Sequence, residues 1–238
     1  MQPQTQKRDS KTRILLGIVG LMAGLMVAQA ASANGAYYRK YEVTITNITR
    51  GQTFTPLLVA THSPRVGLFD LGAPAGEPLE ILAEDGNTAP LTEVLLGAGY
   101  EVADVETIPG LLGPGATTTV VVEATRFQRY LSLAAMLIPT NDTFVALDTV
   151  PLPFRSRSYT AIAYDAGTEA NDQNCLNMPG PRCGGEGFSP GPNEGDEGYV
   201  YVSNGFHELP PAADGEVLGP QVYDWRNPVA RVTVRRIR

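Results

Sequence analysis

Residues Tyr130 to Ile138 read Tyr-Leu-Ser-Leu-Ala-Ala-Met-Leu-Ile, an apolar run broken only by one serine. A run of this length and character is expected of a central β-strand covered on both faces. The rest of the chain supplies its neighbours. Tyr41, Val43 and Ile45 alternate with Glu42, Thr44 and Thr46, the pattern of a half-buried strand. Leu57 to Thr61 reads as a second strand, closed by Ser63-Pro64. Tyr100, Val102 and Val105 share another, and Thr117 to Ala124 is rich in β-branched residues. Thr143 to Leu147, Ser158 to Tyr164 and Tyr199 to Ser203 are short strands, and Pro228 to Arg238 alternates Ala230, Val232 and Val234 against Arg231, Thr233 and Arg235. Gly51 to Pro56 and Gly110 to Gly115 are turns. Helical spacing occurs twice: Leu79, Leu82 and Ala83 within Glu77 to Glu84, stopped near Gly86, and Pro90 to Leu96, with Gly97 at its end. Neither an internal repeat nor a compositional linker is present. These elements predict an all-β fold, one antiparallel β-sandwich over residues 34–238 with one or two short helices inserted.

Ahead of this domain stands a targeting pattern. Lys7, Arg8, Lys11 and Arg13 precede an apolar run from Ile14 to Val27, and Ala31-Ser32-Ala33 supplies small residues in an A-x-A arrangement. Residues 1–33 read as a secretory signal peptide; the run is short for a bilayer span, which needs about 20 residues. Ala28-Gln29-Ala30 is a second candidate cleavage site. The expectation is a secreted or periplasmic chain without a membrane span after cleavage.

Charge sharpens this. The whole chain carries −7, and the leader holds four bases against Asp9, which leaves −10 on residues 34–238. An acidic surface repels phosphate backbones, so nucleic acid is excluded as a partner; cations or a basic surface suit it. The two cysteines, Cys175 and Cys183, lie close together in a Gly/Pro-rich stretch. In an exported chain they are expected to form one disulfide; a zinc site lacks a nearby histidine to complete its ligands.

Chemistry concentrates in two loops. Ile138-Pro139-Thr140-Asn141-Asp142 follows the central strand, and Tyr164-Asp165-Ala166-Gly167-Thr168-Glu169-Ala170-Asn171-Asp172 follows another. If Tyr130–Ile138 runs up, Thr143–Leu147 runs down and Ser158–Tyr164 runs up again. Asp142 and Asp165 then share one end of the sandwich, and Glu169 folds back past Gly167. Three carboxylates so placed repel one another unless a cation sits among them. Oxygen donors from separate loops suit Ca²⁺ better than Mg²⁺, which demands tighter octahedral geometry. Asp and Asn also form turns by capping local backbone groups, so pattern alone leaves ion binding and turn formation both open.

These stretches resemble a known family. Met136 to Leu147 is similar to the spondin-domain segment in which an apolar strand enters Pro-Ser/Thr-Asn/Pro-Asp and then an aromatic residue. Tyr164 to Glu169 resembles the spondin Asp-Ala-Gly-Thr-Asp/Glu motif, and Tyr223 to Ala230 a bacterial form of the family's ending. The order holds from about Tyr41 to the C-terminus. The resemblance implies a C2-like β-sandwich and a Ca²⁺ ion held by Asp142, Asp165 and Glu169; animal spondins usually have Asp at the last position. The thrombospondin-type repeats and reelin-like segment of the animal proteins are absent, so their matrix and axon-guidance roles do not carry over.

Other residues weigh less. Asp172 and Glu186 are candidate additional ligands but read first as solvated loop charges. His62 and His207 read as structural or surface residues, Trp225 as a core anchor, and Gly184-Gly185-Glu186-Gly187 lacks the lysine of a phosphate loop. No G-x-S-x-G or H-E-x-x-H occurs, so no enzyme is expected. The functional expectation is a monomeric, Ca²⁺-binding adhesion or binding module whose partner is an extracellular or envelope protein or glycan. The alternatives are a Ca²⁺-dependent carbohydrate-binding or carbohydrate-active protein and a C2-like membrane binder.

Overall fold

A computed structural model describes residues 38–190 and 193–238. The predicted leader and its candidate cleavage sites lie outside the described residues. In chain order the strands are β1 (Arg39–Asn47), β2 (Thr53–Phe54) and β3 (Leu57–His62); then helices α1 (Glu77–Asp85) and α2 (Ala89–Gly97). Strands β4 (Val102–Ile108), β5 (Thr117–Ala124), β6 (Tyr130–Ile138), β7 (Thr143–Pro151), β8 (Ser156–Asp165) and β9 (Tyr201–Val202) follow. A four-residue helix, α3 (Pro220–Tyr223), precedes the closing strand β10 (Ala230–Ile237).

Every ladder is antiparallel, and the strands lie in the order β4-β3-β6-β7-β8-β10-β1-β5, with β2 on β6 and β9 on β8. The strip curls until its edges meet. Asp104 on β4 accepts the Glu123 N–H of β5 at 2.7 Å, and the Thr61 hydroxyl donates to the Glu123 carbonyl. Joining the edges through side chains blunts the exposed backbone groups that an edge strand otherwise presents.

β6 shows why the central run has almost no polar residue. Leu131, Leu133, Ala135 and Leu137 point into the interior with Val43, Ile45, Val59, Val145, Ala163 and Val232. Ala134, on the opposite face, joins Leu58, Phe144 and Ala146 beneath Leu79, Leu82 and Ala83 of α1 and Leu91 and Leu95 of α2. The helices therefore cover the outside of β3, β6 and β7, and both faces of β6 are dry, as the run predicts. The serine in the run is accounted for as well. Ser132 donates to Asp148 at 2.9 Å and pairs with the His62 ring at 2.7 Å, so His62 is a buried structural residue.

The structure amends several details. Tyr100 lies outside β4, in a 3₁₀ turn over Gly99–Glu101, and is 79% exposed. The strand expected over Tyr199–Ser203 shrinks to β9, two residues on β8. Thr53 and Phe54, within the predicted turn, pair with Ile138 and Leu137 as β2. β7 runs on to Pro151, past the predicted Leu147.

Candidate metal centre

The β7–β8 ladder aligns the acidic loops. Thr143 lies opposite Asp165, so Asp142, one residue before β7, and Asp165, the last residue of β8, emerge at the same end of the sheet. This is the arrangement the strand directions predict. Glu169 joins them: the Asp142 Oδ2 atom accepts the Thr168 N–H at 2.7 Å, the Glu169 N–H at 3.1 Å and the Thr168 hydroxyl at 3.3 Å. Gly167 makes the fold-back possible. Its φ is +67°, and a Cβ there would lie 2.3 Å from the Tyr199 carbonyl oxygen, so only glycine fits between the two strands of backbone.

All three carboxylates are buried, with relative exposures of 0% for Asp142, 1% for Asp165 and 8% for Glu169. Asp165 is held by the Gly167 N–H at 3.0 Å and by the Asn171 side chain at 3.0 Å. Glu169 accepts the Ser189 hydroxyl at 3.2 Å. The Asp142 Oδ1 atom is buried with no hydrogen-bond partner.

A fourth carboxylate stands in the same corner. Glu84, in the last turn of α1, is fully buried; its Oε2 accepts the Ser189 N–H at 3.0 Å and its Oε1 has no partner. The sequence hid Glu84 because it looks like the polar end of an amphipathic helix just before Gly86. The chain returns against this end of α1 at Gly187–Ser189.

Electrostatics follow from this packing. Burial raises the Asp142 and Asp165 carboxyls above the usual range, and the Asp142 charge pushes Asp165 further up. Burial, then the charges of Glu84 and Asp142, lift Glu169 to about 8. Burial lifts Glu84 to about 7, with the Ser189 N–H partly offsetting it. Among the described residues the ion pairs are Lys40–Glu123, Arg65–Glu101, Arg182–Glu216 and Arg235–Glu42, and none reaches this corner. The basic residues gather elsewhere: Arg39, Lys40, Arg155, Arg157, Arg235 and Arg236 share the opposite end of β1, β8 and β10.

The residues fit a hard divalent cation. The donors are all oxygen, come from three chain segments and include two buried lone-pair-bearing atoms without partners. Among the described residues no three His, Cys, Asp or Glu side chains are drawn together tightly enough to form a finished ligand set. The acidic groups share one buried corner, with Ser189, Thr168 and Asn171 donating between them.

The remaining predicted residues separate cleanly. Asp172 is a loop organiser: it accepts from Asn141 at 3.1 Å, the Asn174 N–H at 2.9 Å and Asn177 at 2.6 Å. Glu186 is exposed. Trp225 is 7% exposed and packs on Phe206 with ring centroids 5.7 Å apart, an anchor in the interior cluster. Cys175 and Cys183 form a disulfide, which removes the zinc alternative and suits a chain outside the reducing cytoplasm. That bridge helps pin the long loop after β8, together with Gln173, whose side chain donates to the carbonyls of His207 and Leu218 at 2.8 Å each. No helix among the described residues is long and apolar enough to cross a membrane.

Among curated proteins none matches the chain. The Spondin_N family matches residues 27–173, well over half of the sequence and including Asp142, Asp165 and Glu169. The chain belongs to the Spondin_N family.

Proposed function

We propose that this spondin domain is an exported, non-enzymatic binding module whose acidic end is set by Ca²⁺, with Asp142, Asp165 and Glu169 as ligands. The observation that carries the reading is the partnerless Asp142 Oδ1 atom among buried carboxylates with no ion pair at hand. A buried, unpaired negative charge is costly, and so is a buried acceptor without a donor. A cation removes both costs at once. When bound, Ca²⁺ would supply charge neutralisation and cross-linking of the loops after β6 and β8. The chain's own donors would orient the carboxylates: Thr168 and Glu169 N–H groups for Asp142, Gly167 and Asn171 for Asp165, Ser189 for Glu169. The family supports an extracellular setting, and the acidic end would serve adhesion to an envelope or extracellular partner. Thermal unfolding with chelator and with excess Ca²⁺ tests the reading; an unchanged curve sinks it.

A second reading, Ca²⁺-dependent glycan binding, draws on Tyr199 and Tyr201. Their rings lie 5.6 Å apart beside the acidic corner, Tyr199 is 45% exposed, and the Tyr201 hydroxyl accepts from Asn171 at 3.0 Å. Tyrosine rings offer an apolar face and a polar hydroxyl together, the pairing a sugar ring needs. A glycan array run with and without Ca²⁺ separates this from protein binding.

A further inference from the structure

Glu84 occupies a place that neither its helix nor its neighbours justify. It lies in the last turn of α1, where the helix dipole disfavours a carboxylate, and that turn contains no basic residue. It is fully buried on the face that also carries Leu79, Leu82 and Ala83. One of its oxygens has a single donor, the Ser189 N–H, and the other has none.

Glu84 borders the acidic corner through Ser189. Ser189 bridges two carboxylates: its N–H goes to Glu84 at 3.0 Å and its hydroxyl to Glu169 at 3.2 Å. Glu169 in turn gives its N–H to Asp142 at 3.1 Å. Hydrogen bonds thus link Glu84 to Ser189, Ser189 to Glu169 and Glu169 to Asp142, and the Glu84 and Asp142 carboxylates each carry a second, buried oxygen lacking a donor. The loop is pressed onto the helix here: a Cβ on Gly187 would lie 2.6 Å from the Asp85 side chain.

We infer that Glu84 is a fourth carboxylate ligand of the cation centre, and that the bound ion fastens α1 to the loops after β6 and β8. The inference rests on the Ca²⁺ reading above and adds a residue and a mechanical consequence to it. Ca²⁺ accepts six to eight oxygens, so three carboxylates leave room for another. A fourth negative ligand raises affinity, since charge count is one of the variables that tune such sites. The consequence is that α1, which covers one face of β6, becomes more firmly held when the ion is present.

The test uses the full mature chain and CaCl₂ in calorimetric titration, alongside hydrogen exchange of α1. Glu84→Gln is expected to weaken Ca²⁺ binding by at least about tenfold, and Glu84→Asp, which keeps the charge but shortens the reach, to weaken it as well. In the wild type, Ca²⁺ is expected to slow amide exchange across Leu79–Asp85; in Glu84→Gln that slowing disappears. Asp142→Asn serves as the reference for the centre itself. If Glu84→Gln and Glu84→Asp both bind as tightly as wild type while Asp142→Asn does not, Glu84 is no ligand and the Ca²⁺ reading survives alone. If the wild type binds no Ca²⁺, the reading fails and this inference with it.

Discussion

Asp142 accepts the backbone N–H of Glu169 at 3.1 Å, across 27 positions of sequence. One candidate ligand therefore positions the next, and the loop after β8 is organised by the loop after β6. The same Asp142 leaves its other oxygen without a donor in a fully buried place. One oxygen thus serves the backbone, and the other is free for the ion proposed above.

Asp142→Asn keeps an acceptor for Thr168 and Glu169 but removes the charge. Without Ca²⁺ the variant should be at least as stable as wild type, because a buried unpaired charge has gone. With Ca²⁺ the order should reverse. At a concentration 100-fold above Kd, one ion stabilises the wild type by about 2.7 kcal/mol, a rise in Tm of roughly 5–10 °C. The variant should show no such rise in differential scanning calorimetry.

The raised carboxyls give a pH signature. Glu169 titrates at about 8 and Glu84 at about 7 in the fold, against roughly 4.3 for a free Glu. Between these limits the native state holds more protons than the unfolded chain, so Ca²⁺-free stability falls as pH rises from about 4 towards 8. Saturating Ca²⁺, which binds the deprotonated groups, should flatten or reverse that slope. Urea midpoints in metal-free and Ca²⁺ buffers across this range report both limbs; a metal-free midpoint that climbs with pH contradicts the assignment.

How much of this was legible in the residues depends on distance along the chain. The double burial of β6 and the shared end of Asp142 and Asp165 follow from local pattern and strand direction, and the structure shows both. The helices over β3, β6 and β7 announce themselves by spacing at Leu79, Leu82 and Ala83. Glu84 was not legible, because its one hydrogen-bond donor, the Ser189 N–H, lies 105 positions away. Asp172 read as a solvated charge, yet three amide groups turn it into a loop organiser, and such donors are not visible as periodicity. β2 and α3 are too short to carry a period at all.

Gly167→Ala probes the turn that brings Glu169 back. With φ at +67° and the Tyr199 carbonyl 2.3 Å from the new Cβ, the substitution forces backbone movement. The expected loss is roughly 1–3 kcal/mol or more in denaturant unfolding. Ca²⁺ affinity should fall with it, since the Thr168 and Glu169 N–H groups no longer reach Asp142 in the same geometry.

Removing the disulfide should act on the loop more than on the sheets. The bridge spans a separation of eight residues, and closing a loop of that size contributes about 2–3 kcal/mol in the chain-entropy account. Cys175→Ser with Cys183→Ser should lower Tm accordingly. Hydrogen exchange should quicken first around Gln173–Glu186, while β6 and β7 keep their protection.

The most direct test is the calcium content of the folded chain. Equilibrium dialysis of the protein against Ca²⁺, followed by elemental analysis, should find one ion per chain, and the Asp142→Asn/Asp165→Asn double variant should hold none. A folded wild-type chain that retains no Ca²⁺ at millimolar concentration would contradict the account.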